Sequence, residues 1–176
     1  GWPGSNPKDA AFFREAKRLR LLTSRLTAFG STRRAARAAN DPNLKALLAA
    51  ETPTITIFGK SWDLHVRDVL KISLDENLKI IEESVAFLTR HGRRVIYDAE
   101  HYFDGYRDNT PYALKTLRAA LDGGADAIVF CDTNGGSLPE AVTEIIHASR
   151  ATAGRVALGI HAHNDSDLAV ANTLAA

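Results

Sequence analysis

The hydrophobic positions of this chain alternate between two spacings, one typical of strands and one typical of helices. Short runs of β-branched and aromatic residues end in polar residues, and each is followed by a stretch with apolar residues three or four apart. Five such runs predict strands, at 25–29, 54–58, 95–97, 127–130 and 156–160. Their centres lie roughly 30 to 40 residues apart, the length of a strand, a loop and a helix, so the sheet is predicted to be parallel.

Capping signals and glycine or proline breaks mark the helices between these strands. Helix starts are expected at Asn6, at Ser31 or Thr32, at Ser73, at Thr110, at Ser137 and at Asp167. Ser73 and Ser137 each open a capping box, in which a glutamate three residues later reaches back to the cap. Asp41 and Pro42 are expected to interrupt the second helix, which restarts over 43–50. Residues 60–72 are expected to form a long loop or a short helix.

Polar residues follow three successive predicted strands at the point where each strand ends. They are Asp98 and Glu100, Asp132 and Thr133, and His161 and His163. In a (β/α)8 TIM barrel the carboxyl ends of neighbouring strands meet at one mouth, whereas an open doubly wound sheet concentrates its ligands at one switch point. No Gly-x-Gly-x-x-Gly motif follows any strand. The pattern therefore favours a barrel over an open sheet.

The pair His161 and His163 is the strongest chemical signal in the sequence. Alternate residues of a strand share a face, so both imidazoles are expected to point the same way. Two neutral rings side by side offer two nitrogen lone pairs to one divalent cation. The alternative is a pair of hydrogen-bonded histidines near a strand end, and the His-x-His spacing favours the metal.

Composition and charge narrow the class of protein. The 176 residues suffice for one domain with a core, and no apolar run is long enough for a membrane span. The single cysteine, Cys131, excludes an internal disulfide, fits a cytoplasmic protein, and is expected to be a small buried residue rather than a nucleophile. Residues 1–50 hold ten Lys or Arg against three Asp or Glu. These basic residues follow helical patterns without an aromatic ladder, so solvated helix faces are favoured over nucleic-acid binding.

Five stretches of the chain resemble one enzyme family. Residues 98–106 (DAEHYFDGY), 131–139 (CDTNGGSLP) and 159–165 (GIHAHND) are similar to the α-isopropylmalate synthase / homocitrate synthase family. Residues 58–66 (FGKSWDLHV) and the opening residues 1–8 (GWPGSNPK) resemble its citramalate synthase branch. Several long motifs in the same order make the resemblance specific, and it covers essentially the whole chain.

The resemblance implies a fold and an activity. The family folds as a TIM barrel, binds a divalent metal (Mg²⁺, Mn²⁺ or Zn²⁺), and condenses acetyl-CoA with a 2-oxo acid before hydrolysing the thioester. In the citramalate branch the oxo acid is pyruvate, and the product feeds the biosynthesis of isoleucine and other branched-chain amino acids. Small-molecule substrates are therefore the expected partners, and the full-length protein is expected to be a homodimer.

The resemblance also assigns site residues. The two metal-binding histidines of the family fall on His161 and His163, and its glutamate beside the bound oxo acid falls on Glu100, the candidate catalytic residue. Thr133 takes the place of the threonine that hydrogen-bonds the oxo-acid carboxylate, and His65 that of a substrate-binding loop histidine. From the residues alone, Glu100 could instead form a salt bridge at the barrel mouth, and Thr133 could cap a helix.

The chain also departs from the family pattern. The family's first strand ends in an Arg-Asp pair that contacts the oxo acid and the metal, and neither that strand nor the eighth has a counterpart here. We therefore expect one incomplete barrel domain over 1–176, corresponding to roughly strands two to seven. The chain contains no methionine and stops within a predicted helix, so we expect it to be a piece of a longer protein.

Two alternatives to the condensing enzyme remain. One is a lyase of the same metal-barrel superfamily, which would cleave a carbon–carbon bond. The other is a non-catalytic, barrel-derived binding module.

Overall fold

A computed structural model describes residues 1–34 and 36–176 of the chain. Within these residues five parallel strands form one sheet and pair in chain order. They are β1 (Thr27–Ser31), β2 (Thr54–Lys60), β3 (Arg94–Glu100), β4 (Ala127–Asp132) and β5 (Ala157–Ala162). All four pairings are parallel, which confirms the parallel sheet that the repeated spacing predicts.

One helix precedes β1, and helices follow each of the five strands. They are α1 (Pro7–Ala16), α2 (Pro42–Ala49), the single turn α3 (Asp63–His65), α4 (Leu74–Arg90), α5 (Tyr102–Asp108), α6 (Thr110–Asp122), α7 (Pro139–Ala153) and α8 (Ala169–Ala175). A 3-10 turn at Ala38–Asn40 precedes α2, and a π-helical turn at Val66–Leu70 follows α3. No helix among the described residues is long and apolar enough to cross a membrane.

Sequential pairing of strands with crossover helices is the arrangement of a barrel segment. The expected strands two to seven would be six strands, of which the described residues form five. At the free side of β1, the Phe29 N–H donates to the Gly1 carbonyl oxygen at 2.9 Å. Gly1 therefore lies beside β1, on the side opposite to β2.

The two faces of the sheet differ in polarity. One face carries fully buried apolar side chains, including those of Ile57, Tyr97 and Ile128, which belong to one hydrophobic cluster with the inner sides of the helices. The alternation of a strand turns the intervening residues to the opposite face, which would be the interior of a barrel. The last interior positions of the strands are polar, so chemically active side chains collect at the carboxyl edge of the sheet.

Several predicted helix starts are confirmed. The Asn6 side chain accepts from the Asp9 N–H with Pro7 at the first helical position, and the Ser73 hydroxyl accepts from the Glu76 N–H. At α6 the cap is Asn109, one residue before the predicted Thr110. The last helix begins slightly later than predicted, at Ala169.

The predicted helix from Ser31 or Thr32 is wrong. Ser31 is the last residue of β1, and residues 32–34 form a loop; the remainder of that prediction includes residue 35, which lies outside the described residues. The helix instead begins at Pro42, because the Asp41 carboxylate accepts from the Leu44 N–H at 2.9 Å. A Ser-Thr pair before an alanine-rich run resembles a cap in sequence, but strand pairing takes precedence here.

The predicted capping box at Ser137 is also wrong. The helix α7 begins at Pro139, and its N-cap residue, Leu138, makes no side-chain capping bond. The Ser137 hydroxyl donates instead to Asp132 at 2.9 Å, while the Ser137 N–H donates to the same carboxylate at 3.2 Å. Two bonds to a buried carboxylate therefore replace the expected cap.

Candidate functional site

The two histidines lie side by side at the end of β5. His161 belongs to the strand and His163 follows it, and their rings stack with centroids 4.9 Å apart and an angle of 23° between planes. Both side chains are exposed on the interior face. This arrangement agrees with the predicted alternation, although a metal-binding role stays a prediction.

Asp98, at the end of β3, contacts His161 across the intervening strand β4. One carboxylate oxygen, Oδ2, lies 2.8 Å from the His161 Nδ1 atom, and the side chain is only 5% exposed. The other oxygen, Oδ1, is buried and has no protein partner. Burial raises the pKa of Asp98, and the hydrogen bond with His161 opposes that increase. Sequence reasoning placed Asp98 at the mouth but gave it no role.

Cys131 supplies a third donor atom beside the two histidines. Its thiol and the two imidazoles have ligand atoms that all lie within 4.8 Å of one another. Cys131 is buried, as expected, and burial raises the pKa of its thiol to about 12. Two imidazole nitrogens and one sulfur are a donor set that borderline metals such as Zn²⁺ accept, so the residues present fit a divalent cation.

Glu100 forms an ion pair with a lysine that the sequence analysis did not single out. The Lys60 Nζ lies 2.6 Å from the Glu100 Oε2, and each side chain is about one-fifth exposed (20% and 21%). The two residues are register partners on β2 and β3, and both belong to the interior face. The salt-bridge alternative for Glu100 is therefore present in the structure, and it does not exclude contact with a substrate.

Thr133 connects two parts of the mouth. Its hydroxyl oxygen accepts from the His101 N–H at 2.7 Å, and the hydroxyl donates to the Cys131 sulfur at 3.1 Å. Thr133 makes no capping bond to α7. The His101 N–H that it accepts belongs to the N-cap residue of α5, so the helix-capping alternative stays open. Its only proton points at sulfur here, and it would have to turn to reach a carboxylate.

His65 belongs to an aromatic cluster on the other side of Glu100. Its ring centroid is 4.9 Å from that of Trp62 and 4.3 Å from that of His101. Burial, then the nearby His101, lowers the pKa of His65, and its buried Nδ1 atom has no protein partner. His101 adopts a left-handed conformation with φ of 55°, which turns the chain from β3 into α5.

The structure thus brings the predicted site residues to one edge of the sheet. His161 and His163 contact each other, and Thr133 reaches the same cluster through Cys131. His65 reaches Thr133 through His101, and Glu100 precedes His101 in the chain. Sequence reasoning missed the roles of Asp98 and Lys60, although both occupy interior positions of their strands.

A parallel sheet with crossover helices and a polar, histidine-rich carboxyl edge defines a segment of an α/β barrel with an active-site-like mouth. A family model described as HMGL-like matches residues 3–176. The chain therefore belongs to the HMGL-like family, and its resemblance to the isopropylmalate and homocitrate synthases is confirmed.

Curated relatives of the chain include synthases of two kinds. The (R)-citramalate synthase of Aquifex aeolicus is 55% identical over 177 residues, which cover 100% of this chain and 34% of that protein. The (R)-citramalate synthase of Streptomyces coelicolor is 49% identical over 100% of this chain and 33% of its own length. The homocitrate synthase of Sulfurisphaera tokodaii is 36% identical over 126 residues, 72% of this chain and 27% of that protein. The chain spans about a third of the length of these two citramalate synthases.

Solved structures agree on the fold. The HMG-CoA lyase of Bacillus subtilis superposes with a TM-score of 0.75 at 17% identity, covering 98% of this chain and 58% of that one. A likeness at this identity establishes the fold, so the predicted partial TIM barrel is confirmed.

Proposed function

We propose that the full-length protein containing this chain condenses acetyl-CoA with pyruvate to form citramalate, and then hydrolyses the thioester. The observation that carries this proposal is the 55% identity to a citramalate synthase across the whole chain. The product would feed the biosynthesis of isoleucine and other branched-chain amino acids. A lyase is less well supported, because the likeness to lyases is at 17% identity and extends to the fold alone.

His161 and His163 are the residues that would hold a divalent cation, with Cys131 as a third available donor. When bound, the cation would polarise the carbonyl of the 2-oxo acid and make its C2 carbon more electrophilic. Mg²⁺, Mn²⁺ and Zn²⁺ remain candidates, and sulfur among the donors favours Zn²⁺ over Mg²⁺.

The other residues of the mouth are suited to bind and orient an oxo acid. Glu100 would fix the acid or a water beside the histidines, and its carboxylate forms an ion pair with the Lys60 ammonium. The Thr133 hydroxyl would turn from the Cys131 sulfur to donate to the substrate carboxylate. The lowered pKa of His65 keeps its ring neutral at pH 7, so it can either accept or donate a hydrogen bond.

We further propose that the full-length protein is a cytoplasmic homodimer whose partners are small molecules. The support for the cytoplasm is one free, buried cysteine and no disulfide among the described residues. The support for a dimer is the resemblance to the family, and size measurement by light scattering tests it.

The test of the activity is thiol release from acetyl-CoA by the full-length protein, measured with a panel of 2-oxo acids and added Mg²⁺, Mn²⁺ or Zn²⁺. Pyruvate is expected to stimulate release most. His161→Ala and His163→Ala are each expected to abolish metal-dependent activity. The control is His147→Ala, an exposed position on α7 that faces away from the mouth, which should leave activity unchanged.

Four results would contradict the proposal. If no 2-oxo acid stimulates thiol release, the synthase interpretation is wrong. Cleavage of a carbon–carbon bond in an acyl-CoA, without condensation, would favour the lyase. Tight binding of acyl-CoA or of a 2-oxo acid without turnover would favour a binding module. Equal metal affinity in all three variants, measured by titration calorimetry, would remove the histidine pair from the site.

A further inference from the structure

Asp98 and His161 make an unusual contact for two residues 63 positions apart. They lie on β3 and β5, which do not pair with each other, so the contact reaches across the interior face of β4. The Asp98 side chain is 5% exposed whereas that of His161 is 44% exposed. A buried carboxylate thus holds one side of a ring whose other side is open to the mouth.

We propose that Asp98 is a positioning residue for His161, an inference that rests on the proposed metal-binding function. A carboxylate that accepts from Nδ1 fixes the imidazole as the tautomer with its proton on that atom. The lone pair then lies on Nε2, at the side of the ring away from β3. Metal-binding histidines commonly have such a carboxylate partner, which orients the ring and raises its basicity.

The two histidines differ in this respect. His161 has a carboxylate partner, whereas the ring of His163 makes no hydrogen bond to the described residues and only stacks on His161. Because the two rings stack, fixing the orientation of His161 also restricts the orientation of His163. The contribution of Asp98 to metal affinity should therefore be transmitted through His161.

A competing role for Asp98 is direct coordination. Its Oδ1 atom is buried without a protein partner, so a cation could contact it. The two roles predict different couplings between mutations. Loss of a direct ligand would weaken metal binding whether or not His161 is present, whereas loss of a positioning residue would matter only while His161 is there to be positioned.

A variant of Asp132 serves as the matched control that distinguishes a positioning role of Asp98 from a purely structural one. Asp132 ends the neighbouring strand β4, is 1% exposed, and accepts two hydrogen bonds from Ser137. Its side chain points to the helix face of the sheet, away from the histidines. Asp132→Asn therefore removes an equally buried carboxylate from an equivalent strand end without touching the mouth.

The experiment uses the full-length protein and titration calorimetry with Mn²⁺ and with Zn²⁺. Asp98→Asn should weaken metal binding about 10- to 100-fold, the range found for the carboxylate partners of metal-binding histidines. In a His161→Ala background the same change should alter the affinity by less than about threefold. Asp132→Asn should leave the affinity unchanged. Circular dichroism identifies any variant that does not fold. If Asp98→Asn does not fold, Asp98→Ser is measured in its place.

The outcomes separate this inference from the proposed function. If His161→Ala weakens binding and Asp98→Asn does not, the positioning role is wrong while the metal site stands. If the two effects add in the double variant, Asp98 is a direct ligand and the inference is also wrong. If His161→Ala leaves the affinity unchanged, the metal site itself is wrong and the inference fails with it.

Discussion

Gly105, on α5, lies where this helix touches the loop that leaves β2. A Cβ atom added there would lie 2.3 Å from the Ser61 carbonyl oxygen and 2.9 Å from both the Ser61 carbonyl carbon and the Trp62 Cα. All three are backbone atoms, so no side-chain rotation can relieve the overlap. We predict that Gly105→Ala forces α5 and this loop apart.

The cost follows from these distances. Non-bonded carbon contacts are favourable at about 3.5–4.0 Å, so relief of the overlap needs a displacement of about 1 Å. Overpacking of this kind costs about 1–3 kcal/mol, and fixed backbone places this case at the upper end. Alanine recovers about 0.5–1 kcal/mol through its better helix propensity. The net destabilisation should be about 2 kcal/mol.

The displacement should also affect the mouth. Trp62 and His65 lie on the loop side, while His101 precedes α5, and the contact between the His65 and His101 rings crosses the junction. Gly105→Ala should therefore lower the proposed pyruvate-dependent activity without changing the proposed metal affinity of the histidine pair, because β5 is not displaced.

Urea unfolding of the full-length protein, at equal m value, measures the stability difference. The control is Gly136→Ala, at the same edge of the sheet, where an added Cβ meets nothing within 4 Å. Gly136→Ala should lie within about 0.5 kcal/mol of the parent. If Gly105→Ala is equally close, the packing of α5 on the loop is looser than these distances require, and the reasoning is refuted.

Three further predictions concern the thiol, the ion pair and the isolated chain. With a pKa of about 12, Cys131 should react with iodoacetamide at pH 8 roughly a thousandfold more slowly than an unfolded thiol. Because folding raises this pKa, the protonated thiol contributes fully to stability below about pH 8.5, and the contribution falls as the pH rises towards 12. The free energy of unfolding should therefore decrease less steeply with rising pH in Cys131→Ser than in the parent protein. Lys60→Met removes the ion-pair partner of the partly buried Glu100, so it should cost about 1–2 kcal/mol of stability and lower kcat/KM for pyruvate in the proposed reaction. Lys115→Met, at an exposed position, should do neither. Residues 1–176 expressed alone should associate in light scattering and show no condensation, because β1 and β5 present open edges; a soluble, active monomer would contradict this.

The strands were predictable from sequence because their helix-facing residues are apolar and recur at a regular distance. The carboxyl ends of the strands were not predictable in this way. The strand predicted at 95–97 extends over Arg94–Glu100, since the backbone pairing continues where the hydrophobic pattern stops. Interior positions at a barrel mouth are polar, so a hydrophobic pattern places strand ends too early at the functional edge.

The helix α5 was missed for a related reason. It has seven residues, begins after His101 in a left-handed conformation, and has no side-chain cap. Its buried residues, Tyr102, Phe103 and Gly105, form too short a run to show helical spacing. Packing on the rest of the fold stabilises such a helix, and local sequence carries little of that information.

Which side chains form hydrogen bonds or ion pairs with one another is the feature of the site that the sequence could not predict. The His-x-His pattern placed two rings on one face because alternation is a local property of a strand. The bond between Asp98 and His161 depends on the tilt of strands in a sheet, and so does the choice of Lys60 as the partner of Glu100. Tilt and register are fixed by the packing of the whole sheet. A candidate metal ligand can therefore be recognised from its neighbours in sequence, whereas the side chain that contacts it becomes visible only when the sheet is assembled.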